Sequence, residues 1–223
     1  VRALKTYLSV LESRNALLRQ DKLQGVSDFA NQLDAWDEQL ANAAVPIVRS
    51  RRWFLQELNE NSSREYAAIS ENPDEPFSLF YVGPLAQSDA PYEQMLAGLR
   101  RNREEDRRRM YTTFGPHRDD VSLQLFGRDL RAMGSQGQLR TAVLSMKLGE
   151  IRLIEKEMGE SPTLLLDDVF SELDAKRRNA LFKSAAPLQT FITCTDRQDA
   201  AGARADCFLR VTPTPEGTVL RRE

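Results

Sequence analysis

Chemistry in this sequence concentrates where an apolar run ends abruptly in two carboxylates, Thr163 to Asp168, TLLLDD. Bounded by Pro162 and by acids, Thr163 to Leu166 reads as a buried strand. Asp167 and Asp168 then stand at the carboxyl edge of a sheet, where open α/β folds bind ligands. An acid pair in that place can do the work of a Walker-B motif, one carboxylate holding Mg²⁺ and the next positioning an attacking water. Alone, the same residues also describe a buried strand followed by a helix capped by Asp174.

A second stretch bears on the choice. Gly134-Ser135-Gln136-Gly137-Gln138 precedes apolar residues at Leu139, Val143, Leu144, Leu148, Ile151 and Ile154, a helical spacing that runs out near Gly159. Ser135 and Gln138 stand in the relation of a capping box. The unpaired N–H groups of such a helix start suit a phosphate. An ordinary capped helix carries the same five residues. Together with the acid-tipped strand, however, they resemble the signature motif and Walker B of ABC-type ATPases.

With Ser171-Glu172-Leu173-Asp174 in the D-loop position, the chain resembles the bacterial RecF family, ATPases of DNA repair whose heads are built like those of structural-maintenance-of-chromosomes (SMC) proteins. Tyr81-Val82-Gly83-Pro84, Gly115-Pro116-His117-Arg118-Asp119-Asp120 and the Trp36-Asp37 helix fall in the order expected of that family. The resemblance implies an α/β fold: the parallel-strand half of an ABC-type ATPase without its P-loop half, at residues 111–223, plus a helical SMC-like lobe at 1–110. It also implies roles. Ser135, Gln136, Gly137 and Gln138 would meet ATP held by the opposite subunit, Asp167 would hold Mg²⁺, Asp168 would position water, and Ser171, Glu172 and Asp174 would line the dimer interface. An ATP-dependent homodimer, double-stranded and gapped DNA, RecO and RecR, and help in loading RecA follow from the same resemblance. Aspartate at position 168, where ABC enzymes commonly carry glutamate, implies weak turnover.

Composition sets outer limits. The 223 residues are 41% hydrophobic and 29% charged, with no apolar stretch near the ~20 residues of a membrane span and no signal-peptide pattern, so a soluble, cytoplasmic protein is expected. A net charge of −2 excludes a generally basic polyanion binder. Only six of the 31 basic residues are Lys, and Arg gathers at Arg49, Arg51, Arg52 and from Arg100 to Arg109. Arginine forks suit phosphate, which makes Arg51, Arg52, Arg100 and Arg101 candidate DNA contacts. Glu104, Glu105 and Asp106 interrupt the second group, so that run equally describes a solvated helix with internal ion pairs. Cys194 and Cys207 lack metal-ligand spacing and are expected to be reduced packing residues. One histidine makes a zinc site improbable on donor count. His117 lies before the acid-tipped strand, unlike the switch histidine of ABC ATPases, and Thr195 and Asp196 stand where that switch is expected.

The remaining elements must hold these groups in place. Leu4, Leu8, Leu11 and Leu18, with Tyr7 and Leu17, mark a first helix, and the chain starts inside this pattern, as an interior stretch of a longer protein would. A second helix starts at Ser27 and should kink or break at Pro46. Asn59 to Pro76 is expected to be part helix end and part loop, Phe77 to Val82 a strand, Pro91 to Met110 one helix, and Val121 to Leu130 a hairpin. After Ala175 to Ala186, a helix, the strand Thr190 to Cys194 should lie parallel to Thr163–Leu166. Two closing strands, Cys207–Val211 and Thr218–Leu220, end the chain.

No glycine is followed by lysine anywhere, so no P-loop is present and the chain is not expected to bind ATP in the ABC manner by itself. Two other classes remain open: a different SMC-like ABC ATPase head, and an interaction module that keeps the fold without nucleotide.

Overall fold

A computed structural model describes residues 2–70, 74–169, 173–196, 205–215 and 217–222. Two helices open the chain, α1 (Arg2–Gln24) and α2 (Phe29–Ser70), packed side by side. Helix α1 buries Tyr7, Leu17 and Leu18 of the expected face together with Arg14, while Leu4 and Leu8 stay exposed.

Helix α2 runs for 42 residues, continuing through Pro46 and ending at Ser70, inside the stretch expected to be part helix end and part loop. Proline removes one backbone hydrogen bond at a cost of about 3 kcal/mol. Ala41, Ala44, Ile47 and Val48, all buried around it, offset that loss by packing. Farther along, Leu55, Leu58, Ser62, Tyr66 and Ile69 keep the same buried face to the end of the helix.

That face carries a three-stranded antiparallel sheet: β1 (Phe77–Val82), β2 (Asp120–Leu125) and β3 (Arg128–Asp129), in that order. Helix α2 also satisfies the edge strand, because Asn59 Oδ1 accepts from Leu79 N at 2.6 Å and Ser63 Oγ donates to the Phe77 carbonyl at 2.7 Å. Side chains thus cover an edge that would otherwise be open to pairing. Phe77 stacks on Tyr66 at 4.8 Å.

Between β1 and β2 the expected single helix is two, α3 (Pro91–Arg101) and α4 (Arg103–Arg109). Asn102 separates them, its side-chain amide donating to the Gly98 carbonyl at 2.7 Å in competition with the helical pattern. Gly98 itself is required by space: a Cβ there would lie 2.1 Å from the Phe114 ring. Asp106 of α4 is wholly buried, and Arg103 and Arg107 pair with Asp34, Asp37 and Asp21 on α1 and α2. The solvated, self-paired helix expected here is realised only by Glu105 with Arg108 and Arg109.

The second half of the chain starts with a one-turn helix, α5 (Leu130–Met133), and the long α6 (Gln136–Met158), which crosses α2 closely. A Cβ on Gly149 would stand 2.5 Å from Ser62 Oγ, so only glycine permits that crossing. A parallel pair follows, β4 (Leu164–Asp167) and β5 (Thr190–Thr193), joined through α7 (Ala175–Ala185). Their inner residues Leu164 and Leu166 pack with Leu148, Ile151, Leu181 and Leu188 into a second core that includes Ile69 of α2. The first core spans both sides of residue 110, taking Leu40, Met95, Leu123 and Ala142 alike. An exposed antiparallel hairpin, β6 (Leu209–Thr214) and β7 (Gly217–Arg222), ends the described chain.

Both cysteines are exposed and neither forms a disulfide. Cys194 falls just past the end of β5 and Cys207 before β6, outside the packed parts of the strands, which corrects the expectation that they fill the core.

Candidate functional site

The start of α6 has the cap that Ser135 and Gln138 suggest. Ser135 Oγ accepts from Gln138 N at 3.2 Å, and Gln138 Oε1 accepts from Ser135 N at 3.0 Å. Two of the orphan donors of the first turn are thereby used, leaving Gln136 and Gly137 to present theirs. Ser135 and Gln136 are exposed, and Gly137 and Gln138 half-buried.

The acid pair lies at the carboxyl end of β4, both side chains exposed. Thr193, the last residue of β5, ties them together: its hydroxyl donates to Asp167 Oδ1 and its oxygen accepts from Asp168 N at 3.0 Å. Asp168 has left-handed backbone, φ 48°, which turns the chain off the strand immediately after Asp167. Side chains other than glycine tolerate that region at a cost, aspartate among the least. Such strain at a strand tip is a frequent mark of a working site.

Asp174 caps α7 through Oδ1, which accepts from Arg177 N at 2.9 Å, and its Oδ2 accepts from the Arg177 guanidinium. Arg177 Nε reaches across to α6 and donates to Thr141 Oγ1 at 3.0 Å. The starts of α6 and α7 therefore stand side by side, at the end of the molecule to which β4 and β5 point. Ser135 to Gln138, Asp167, Asp168 and Asp174 share that end. Ser171 and Glu172 lie outside the described residues.

Thr193, Thr141 and Arg177 were missed by sequence reasoning. Thr193 could have been found as the hydroxyl residue next to the end of the strand predicted to pair with β4; Arg177 offers only a basic residue early in a predicted helix.

The four candidate arginines are differently placed. Arg51 donates to the Pro116 carbonyl and to Asp119 at 2.9 Å. Arg52 donates to the carbonyls of Leu85, Ala86 and Ser88 at 2.7 to 3.2 Å. Both tie α2 to neighbouring loops. Arg100 is exposed, 3.9 Å from Asp34, and exposed Arg101 lies over the Phe114 ring at 5.9 Å. His117 is half-buried: its Nδ1 accepts from the Tyr7 hydroxyl at 2.7 Å, and its Nε2 donates to the Thr112 carbonyl at 3.0 Å. Burial lowers its pKa below the usual histidine value, against the opposing pull of the Thr112 bond.

A Mg²⁺ ion fits this donor set in one way only. No cluster of three or more acidic, histidine or cysteine ligands exists among the described residues. Asp167 offers one exposed carboxylate already oriented by Thr193, the kind of site that Mg²⁺ shares with substrate phosphates and water. Among the described residues no helix is long and apolar enough to cross a membrane.

Comparison with known proteins adds to this geometry. No family model matches the chain. It is 42% identical over 201 residues to the DNA replication and repair protein RecF of Herpetosiphon aurantiacus, covering 89% of this chain and 51% of the relative. Identity to the protein of the same name from Lachnoclostridium phytofermentans is 37% over 213 residues, 96% of this chain and 57% of the relative. The chain thus spans about half the length of the curated relatives it matches. Among solved structures, the recombination mediator protein RecF with ATP, of the RecFOR pathway, aligns with a TM-score of 0.80 at 33% identity, over 93% of this chain and 55% of that one. An Smc head bound to the C-winged helix domain of ScpA aligns with a TM-score of 0.50 at 14% identity, over 85% of this chain and 49% of that one, a likeness of fold. The mixed helix-and-strand architecture, with its parallel β4–β5 pair, is that of an ABC-type ATPase head portion.

Proposed function

We propose that this chain, which belongs to the RecF family, works in pairs in which the capped start of α6 from one copy and the acid-tipped end of β4 from the other close over the same ATP. The observation that carries this reading is that the capped start of α6, the capped start of α7 and the acid-tipped end of β4 all lie at one end of the molecule. On this reading Ser135, Gln136, Gly137 and Gln138 meet the γ-phosphate in trans, with the N–H groups of Gln136 and Gly137 as donors. Asp167 holds Mg²⁺, directly or through water, and Asp168 orients the attacking water. Asp174, with Ser171 and Glu172, lines the contact between copies.

ATP then acts as the link between two heads, and its slow hydrolysis times their release. The P-loop comes from a part of the whole protein not contained in this sequence, so the chain alone does not turn over ATP. Residues 1–110 act as the helical lobe and 111–223 as part of the ATPase lobe. The whole protein works in DNA repair and recombination in the cytoplasm, on double-stranded and gapped DNA, and with RecO and RecR helps to load RecA. Of the candidate DNA contacts, Arg100 and Arg101 keep exposed guanidinium groups, while Arg51 and Arg52 have donors committed to the fold.

Replacing Ser135 by Arg in the intact protein tests the trans contact. ATP binding by single protomers should persist and ATP-dependent dimers should be lost in light scattering. Undiminished dimerisation of Ser135→Arg would refute the reading.

A further inference from the structure

We infer that Arg177 is the positioning residue that joins the starts of α6 and α7, so that both meet the opposite copy's triphosphate as one rigid surface. This rests on the trans reading of Ser135 and Asp174, and it assigns a role to a residue outside both motifs.

The connection is a continuous chain of hydrogen bonds. Asp174 accepts from Arg177 twice, from the backbone N–H and from the guanidinium. Arg177 Nε donates to Thr141 Oγ1 at 3.0 Å, and the Thr141 hydroxyl donates onward to the Gly137 carbonyl at 2.8 Å. The Thr141 hydroxyl thus both accepts and donates within the relay. Thr141 is wholly buried, so the bond it receives from Arg177 is shielded from water and worth more than a surface contact. The guanidinium also lies flat along the glycine: a Cβ on Gly137 would be 3.6 to 3.7 Å from Nη1, Cζ and Nη2. A planar fork can satisfy Asp174 and Thr141 at once; a lysine ammonium on its flexible stem cannot hold both directions.

Electrostatics points the same way. A helix start is already the positive end of its dipole and favours acids, yet neither α6 nor α7 carries an acid in its first turn. Instead the Arg177 guanidinium is set between the two positive ends. Asp174 pairs with that guanidinium at the start of α7, and a polyanion such as the end of a triphosphate brought against Ser135 to Gly137 would meet the positive ends of both helices and this guanidinium together.

The test uses the intact protein and three variants: Arg177→Met, which keeps the stem without donors or charge; Arg177→Lys, which keeps the charge without the fork; and Thr141→Val, which keeps Arg177 and removes its acceptor. Hydrogen exchange without nucleotide reads the joint itself. All three should speed amide exchange in the first turns of both α6 and α7 by about tenfold or more, as expected for losing a hydrogen bond to a charged group. Light scattering with ATP reads its consequence: dimerisation should weaken about tenfold in all three, with ATP affinity of single protomers within twofold of the parent. Full dimerisation by Arg177→Lys, or by Thr141→Val, would overturn the joint in favour of a simple charge effect. Unchanged exchange at either helix start would overturn it outright. Should the parent itself fail to dimerise with ATP, the trans reading falls, and the exchange result still decides whether Arg177 joins the helices.

Discussion

Arg14, Asp37 and Asp106 are wholly buried, while Asp167, Asp168 and Asp174 are exposed, although each trio sits where several elements meet. In the buried trio charge answers charge. Arg14 Nε reaches Asp37 at 2.7 Å, and its Nη1 reaches Asp106 and Thr112 Oγ1, each at 2.8 Å. Asp106 also accepts from Thr113 N at 2.8 Å, and Asn15 accepts from Thr112 N at 2.7 Å, so α1, α2, α4 and the loop after α4 converge on one arginine. In the exposed trio Thr193, a neutral group, orients Asp167 and the Asp168 backbone, and only Asp174 has a charged partner, Arg177, while it caps α7 through the backbone. Charges that specify how helices join are consumed by one another. Those proposed to act on a nucleotide are oriented from behind and face outward.

The largest effect expected from breaking this contrast is at Arg14. Arg14→Met strands Asp37 and Asp106 in the interior with one cation fewer, and removing one member of a buried ion pair costs about 3–5 kcal/mol. Urea denaturation of the intact protein measures it. A loss under about 1 kcal/mol would mean the junction tolerates water, and would put the two trios on an equal footing.

Beside that junction, His117 links Tyr7 to Thr112 and gives a smaller, pH-dependent effect. Its folded pKa is lowered by burial from an ordinary value of 6.5, so protonation is harder in the folded state than in the unfolded chain. The unfolded state therefore binds the extra proton first. Stability is at its full value above pH 6.5 and declines as pH falls below it, toward the lowered folded pKa. Protonation also turns Nδ1 into a donor facing the Tyr7 hydroxyl, whose proton must then point elsewhere. In denaturation curves between pH 7 and 5, His117→Gln should flatten this decline. An unchanged slope would assign it to other groups.

How far the sequence reveals these two regions differs for a physical reason. Ser135 with Gln138, Asp174 before α7, and the β4 run ending in acids are local patterns, and each appears as an element of the fold at nearly the expected residues. The parallel pairing of β4 with β5 follows from a connection rule. Arg14 is different. Its burial depends on Asp37, 23 positions on, and Asp106, 92 positions on, and nothing in the neighbouring residues announces either partner. Tertiary packing likewise carried α2 through Pro46, and Arg51 and Arg52 found carbonyl and carboxylate acceptors that only the folded chain brings to them. The local signals were sufficient for the ends of elements; the polar contacts between elements were not legible.

The smallest effect on stability is expected at Asp168, and it sharpens the comparison most. Asn matches Asp in size and also tolerates left-handed backbone, and the bond from residue 168 N to Thr193 Oγ1 uses the main chain alone. The side chain is exposed, so Asp168→Asn should change unfolding free energy by no more than about 0.5 kcal/mol. If Asp168 positions the hydrolytic water, the same substitution in the intact protein should prolong the life of the ATP-bound dimer. A residue of the buried trio cannot behave in this way, because there the loss of one charge is felt by the fold before any reaction. Faster dimer dissociation with stability unchanged would remove Asp168 from the hydrolytic role, whereas a stability loss of several kcal/mol would show that the exposed acids also hold the fold together.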